Sequence, residues 1–110
     1  MLTTHILDTA LGKPAAQVKI IAEQQGANGQ WQQVGEATTD PDGRAKDLVP
    51  GGLQKGPYRL TFAVAEYFQS AGRDSFYPEV TIAFQVKSPG EHYHVPLLIS
   101  GYGYSTYRGS

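Results

Sequence analysis

Apolar and polar residues alternate with a period of two through most of this sequence, and that pattern commits the chain to half-buried strands. Residues 80–86 place Val80, Ile82, Phe84 and Val86 on one face, and residues 58–64 do the same with Tyr58, Leu60, Phe62 and Val64. Successive side chains of a strand leave opposite faces, so this spacing builds one buried and one open surface. Val18, Ile20 and Ala22 alternate with Lys19, Ile21 and Glu23. The Gly26-Ala27-Asn28-Gly29 run after them predicts a hairpin turn, because Asn-Gly accepts positive φ at low cost. Residues 31–37 then form the returning strand. Asp40-Pro41-Asp42-Gly43 and Pro50-Gly51-Gly52 punctuate the chain again. Only residues 65–72 predict a helix: they contain no β-branched residue and end on Gly72, a suitable cap. At about two turns it needs packing to persist. Many short strands with polar turns and one small helix predict an all-β, two-layer sandwich.

A chain of 110 residues fits a single domain, residues 1–110, with no repeats or linkers. Folding at this size buries roughly 60–70% of the surface an unfolded chain exposes. The net charge of −1 gives no reason to expect nucleic acid as a partner. The absence of cysteine excludes disulfides, thiolate metal sites and a cysteine nucleophile. The opening Met1-Leu2-Thr3-Thr4-His5 lacks the pattern of a secretory leader, and no apolar run is long enough to span a bilayer. Tyr107-Arg108-Gly109-Ser110 is not a peroxisomal signal. A cytoplasmic protein without membrane association is the expectation.

Residues 92–100 are the most informative strand. Tyr93, Val95, Leu97 and Ile99 make a core face, which leaves His92, His94, Pro96, Leu98 and Ser100 on the other. Two histidines beside Leu98 and Pro96 make a mixed surface suited to an interface or a pocket wall. Pro96 cannot donate a ladder hydrogen bond and requires a strand edge or a bulge. Histidine is a generic acid–base candidate near neutral pH, so His5 and His94 qualify for chemistry, but packed or surface roles are as compatible with the pattern. His92 and His94 could clip a metal, yet two ligands do not complete a zinc site and no other ligand motif is present. Arg44 offers a planar fork for carbonyl or anionic oxygens, or is a solvated turn residue. Ser110 lies in no nucleophile elbow. Asp8, Asp42 and Asp47 read as structural, and the tyrosine-rich residues 102–107 as edge packing and interface area.

Several segments together carry a resemblance that spans nearly the whole chain. Residues 2–15, LTTHILDTALGKPA, resemble the opening of the transthyretin-like proteins, as do Asp42-Gly43-Arg44 and Phe76-Tyr77-Pro78-Glu79-Val80. The ending His92-Tyr93-His94-Val95-Pro96-Leu97-Leu98, followed by Tyr104-Ser105-Thr106-Tyr107-Arg108-Gly109-Ser110, is similar to the 5-hydroxyisourate hydrolase branch of that family. The final Tyr-Arg-Gly-Ser separates that branch from the hormone-carrying transthyretins. The resemblance implies a sandwich of seven to eight strands with one short helix. It also implies a homotetramer, in which dimers joined edge to edge pack face to face around a channel holding the active sites. It carries the catalytic set over to His5, Arg44, His94 and Ser110, and substrate binding to His5, Arg44, Tyr107 and Arg108, with no metal and no cofactor. His92 receives only a supporting role. Gly101 stands where many relatives carry proline, which implies a looser turn and no change in chemistry.

The activity implied is hydrolysis of 5-hydroxyisourate, a purine-derived small molecule of urate breakdown, to 2-oxo-4-hydroxy-4-carboxy-5-ureidoimidazoline. One of His5 and His94 would take a proton from water, with Arg44 stabilising charge at the lactam carbonyl. Ser110 would act through its hydroxyl or its carboxylate. Two rival classes are a transthyretin-type carrier of a small aromatic ligand, which needs mainly apolar contacts, and a structural sandwich domain, which needs only a polar outer face.

Overall fold

The computed structural model describes all 110 residues, and the alternating segments form two sheets packed face to face. The first is built on β1 (Leu2–Asp8), which pairs antiparallel with β2 (Lys13–Pro14) and β5 (Arg44–Ala45). On its other edge β1 runs parallel to β8 (Tyr93–His94) and β9 (Leu97–Ser100), and β9 pairs antiparallel with the edge strand β10 (Gly103–Thr106). The second sheet is antiparallel: β3 (Lys19–Gln25), β4 (Trp31–Thr38), β6 (Gly56–Phe62) and β7 (Val80–Val86) lie in the order β4-β3-β6-β7. Seven strands reach four residues, and three two-residue segments complete the first sheet.

The core is one cluster of 20 buried apolar residues from the inward faces of both sheets. Tyr58, Leu60 and Phe62 from β6 are fully buried, as are Leu2 and Ile6 from β1. Val18, Ile20, Ala22, Val80 and Val86 join them at the positions the alternation predicts. The hairpin turn between β3 and β4 has Gly29 at φ 81°, and the Asp40–Gly43 turn is closed by the Gly43 N–H donating to the Asp40 carbonyl at 2.8 Å.

The helix, α1 (Val64–Ser70), begins one residue before its predicted start and takes Val64 from the end of the predicted strand. Val64 stays buried, because the first turn of α1 points it into the same core. The helix ends in a Schellman motif: the Arg73 N–H donates to the Phe68 carbonyl and the Gly72 N–H to that of Gln69, with Gly72 at φ 67°. That exit carries the Arg73 guanidinium to the buried Asp8 carboxylate of β1, at 2.6 Å, where the Tyr67 hydroxyl also donates at 2.8 Å. Burial pushes the Asp8 pKa up, but the hydrogen bonds from Arg73, Tyr67 and the Leu11 N–H outweigh it and the net shift is downward. Asp8 thus ties the helix to the first sheet. No helix is long and apolar enough to cross a membrane.

Residues 92–100 are not one continuous strand. The ladder breaks at Val95–Pro96, between β8 and β9, where proline has no N–H to give. The Thr4 hydroxyl donates to the Val95 carbonyl at 2.6 Å and the Thr106 hydroxyl to the Pro96 carbonyl at 2.7 Å, so the break leaves neither acceptor orphaned. Pro96 itself is buried, not part of an open mixed face, because the tail crosses over it. Gly101 abuts the backbone of Asp74: a Cβ there would stand 2.8 Å from the Asp74 carbonyl oxygen.

Candidate active site

Register and alternation decide which side chains meet on the outer face of the first sheet. Within β1, Leu2, Thr4, Ile6 and Asp8 turn inward, so Thr3, His5 and Leu7 turn outward. Thr3 lies opposite His94 of β8, and His5 lies opposite Arg44 of β5. Directly opposed residues of a sheet share a face. Thr3, His5, Arg44 and His94 therefore converge on one outer surface, from segments far apart in sequence.

Thr3, Arg44, Lys46, His92, His94 and Ser110 line a cleft of about 400 Å³ on this surface. His5 flanks it beside Arg44. The Thr3 hydroxyl is the hub: its Oγ1 lies 2.8 Å from Nδ1 of His94 and 2.9 Å from Nε2 of His92. Every buried side-chain nitrogen and oxygen has a hydrogen-bond partner. Nε2 of His94 has none within the chain, so it opens to the cleft. Burial lowers the His94 pKa, and the positive charges of His92, Arg44 and His5 lower it further. His94 is therefore held neutral near pH 7, with a nitrogen available to a reactant.

Arg44 and Lys46 make no ion pair with any carboxylate side chain, so both cations remain available to a ligand. The Arg44 backbone is fixed by its N–H to Oδ1 of Asp40 at 3.0 Å, which ties the guanidinium to the Asp40–Gly43 turn. Cationic donors beside a neutral imidazole suit a ligand rich in carbonyl or anionic oxygens. No group of three or more histidine, aspartate or glutamate side chains is placed to hold a metal ion.

The tail reaches the site through Gly109. Its N–H donates to the His94 carbonyl at 2.8 Å, an isolated bridge that lays the tail against the histidine. A Cβ at Gly109 would stand 2.5 Å from Cδ2 of His94 and 3.2 Å from Cγ of Pro96, so only glycine passes there without displacement. Ser110 is thereby delivered to the cleft.

Of the residues expected from sequence, Arg44, His94 and Ser110 line this cleft and His5 stands at its flank. Tyr107 and Arg108 do not reach it within the chain. They line a larger, more apolar cleft of about 480 Å³ with Phe84 of β7, Tyr93 and Val95. The Arg108 guanidinium sits 4.4 Å above the Tyr93 ring and donates to Glu91 at 3.2 Å. That larger cleft contains no histidine, whereas His92 and His94 line the smaller one. Sequence reasoning did not single out Thr3 and Lys46, which line the cleft together with His92. The period of two held the clue for Thr3, which lies two residues before His5 on the same face.

The structure is thus a two-sheet sandwich with a histidine–arginine cleft on the outer face of one sheet. The chain belongs to the HIUase/Transthyretin family, whose model matches residues 2–109. It is 49% identical to the 5-hydroxyisourate hydrolase of Salmonella dublin over all of this chain and 81% of that protein. Among solved structures it resembles Klebsiella pneumoniae 5-hydroxyisourate hydrolase, with a TM-score of 0.87 and 36% identity over 99% of this chain and 98% of that one. Sea bream transthyretin, solved with thyroxine, superimposes with a TM-score of 0.92 at 30% identity, over 98% of this chain and 93% of that one.

Proposed function

We propose that this protein is a 5-hydroxyisourate hydrolase that opens the six-membered ring of its substrate by water attack at the lactam carbonyl. The observation that carries the reading is the convergence of Arg44, His94 and Ser110 on one cleft, with His5 beside it. Backbone likeness does not choose between enzyme and carrier, since the chain superimposes well on both a hydrolase and a transthyretin. The lining of the cleft does: it is cationic and imidazole-rich, whereas a carrier site is mainly apolar.

In this mechanism Nε2 of His94 takes a proton from the attacking water. Its lowered pKa keeps the lone pair free at neutral pH. Arg44 holds substrate oxygens and stabilises charge developing at the carbonyl, with His5 orienting the reactants from the opposed position. His94, once protonated, returns the proton to the departing ring nitrogen. Ser110 orients water or substrate at the end of the tail. Tyr107 and Arg108 contribute to substrate binding by anchoring that tail, Arg108 through Glu91 and the Tyr93 ring. No cofactor takes part.

The working form is a homotetramer, a dimer of dimers in which a second dimer covers the open face of the first sheet and excludes water from the cleft. The cytoplasm is its compartment. The test is to generate 5-hydroxyisourate in situ with urate oxidase and follow its decay by absorbance. Decay faster than the spontaneous reaction, reduced about 10²–10⁴-fold in His94→Ala with the assembly intact, is the expected result. A folded protein that leaves the spontaneous rate unchanged overturns the reading.

A further inference from the structure

Thr3 is the buried hub of the cleft, and a threonine hydroxyl has one hydrogen to donate and two lone pairs to accept with. Its Oγ1 lies within hydrogen-bond distance of two imidazole nitrogens, Nδ1 of His94 and Nε2 of His92. With both rings neutral, the hydroxyl donates to one and accepts from the other. The two histidines therefore cannot choose their tautomers independently. If Thr3 donates to His92, then Nδ1 of His94 carries the hydrogen and Nε2 of His94 faces the cleft as a lone pair. If Thr3 donates to His94, then Nε2 of His94 carries the hydrogen and is no base.

We propose that Thr3 and His92 are positioning residues that set His94 in its base tautomer and hold its displaced proton through a His94–Thr3–His92 relay. The proposal rests on the assignment of His94 as the base. Each step conserves protons. Water gives a proton to Nε2 of His94, and the Nδ1 hydrogen of His94 passes to Oγ1 of Thr3. The original hydroxyl hydrogen of Thr3 then passes to Nε2 of His92. His92 becomes the cation and holds the proton until the leaving nitrogen needs one. The relay leaves His94 neutral and Nε2–H; as that hydrogen passes to the leaving nitrogen, the Thr3 hydroxyl hydrogen returns to Nδ1 of His94 and the Nε2 hydrogen of His92 returns to Oγ1 of Thr3, which restores the starting tautomers.

Two features favour this direction of flow. His92 is exposed while His94 is half-buried, so the chain of hydrogen bonds runs from the more buried ring to the more open one on the same cleft. Arg44, Lys46 and His5 all bring positive charge to the cleft or its flank beside His94. A resident imidazolium at His94 is unfavourable in that setting, and moving its charge outward relieves it. No aspartate or glutamate lines the cleft to hold the charge at His94.

The experiment compares wild type with Thr3→Val, Thr3→Ser and His92→Phe. It measures kcat, KM and the imidazole ¹⁵N shifts of His94. Thr3→Val is close to isosteric and keeps a β-branched residue in β1, while His92→Phe alters an exposed position and leaves β1 untouched. The expected result is a fall in kcat of about tenfold or more in Thr3→Val and His92→Phe with KM little changed, and recovery in Thr3→Ser. In His92→Phe the Thr3 hydroxyl turns to His94, and the ¹⁵N shifts move from the Nδ1–H to the Nε2–H pattern. Unchanged kcat and unchanged tautomer in both variants overturn the relay even if wild type hydrolyses the substrate. Conversely, the ¹⁵N shift in His92→Phe stands as support for the coupling even in a protein that fails the hydrolase assay, so the two readings fail separately.

Discussion

Gly109→Ala is the sharpest test of the tail's role. The added Cβ would stand 2.5 Å from Cδ2 of His94, about 1 Å inside an ordinary carbon–carbon contact of roughly 3.5 Å. The ring is held at Nδ1 by Thr3, and the same Cβ would also stand 3.2 Å from Cγ of Pro96. Either His94 or the tail carrying Ser110 must move by about 1 Å. A misplacement of that size costs about 10²-fold in rate, close to 2.7 kcal/mol of transition-state stabilisation. Stability changes much less, because the one backbone hydrogen bond at stake, from Gly109 to His94, contributes about 1 kcal/mol. The assay pairs kcat/KM for 5-hydroxyisourate decay with a thermal melt. Gly90→Ala serves as the control, since nothing lies within 4 Å of a Cβ there. If Gly109→Ala retains the activity of Gly90→Ala while His94→Ala is inactive, the tail does not position the base and the reasoning is refuted.

The remaining predictions concern Arg73, pH and Arg44. Arg73→Met strands the buried Asp8 carboxylate with only Tyr67 and two backbone N–H groups, at a cost of about 2–3 kcal/mol. A melt should show Tm lower by roughly 10 °C, and a shift under 2 °C would remove the clamp from the account of stability. Because the folded Asp8 pKa is lowered, its stabilisation is present above the unfolded value near 3.8 and disappears as pH falls through the lowered one. Acid unfolding followed by circular dichroism should accordingly steepen below pH 4. His94 is also shifted downward, so kcat/KM should rise with pH through a limb centred below 6.5, and a limb centred above 6.5 contradicts the environment described for it. The same shift makes the fold lose stability as pH drops below 6.5, where the unfolded chain binds that proton first. Arg44→Lys keeps the charge but loses the planar fork, and kcat should fall about 10²-fold with the melt unchanged.

Much of this was legible because a period of two fixes both the element and the face. The inward residues of β3, β6 and β7 followed directly, and so did the outward placement of His94. Pro96 announced a break in its strand, but its burial was not readable: it depends on Gly109 crossing from the tail. The hub at Thr3 was equally hidden, since it exists only because β1 and β8 run parallel in one register. Tyr107 and Arg108 show the opposite limit. They adjoin Gly109 and Ser110 in sequence, yet the extended tail sends them to a different cleft. Asp8 read as structural from sequence, and its partner Arg73 became visible only once the helix exit aimed it.

The cleft joins residues from both ends of the chain: Thr3 and His94 stand 91 positions apart. During synthesis, at about 5–20 residues per second, β1 waits roughly 5–20 s before β8 and β9 can exist to flank it. Through that interval the strand carries Leu2 and Ile6 without their final neighbours, an exposed edge of the kind that invites wrong pairing. Closure across such a span also belongs to the slower, non-local class of folding events, on the scale of about milliseconds to seconds. The cleft is therefore among the last features the nascent protein completes, and a chain lacking β8 has no cleft.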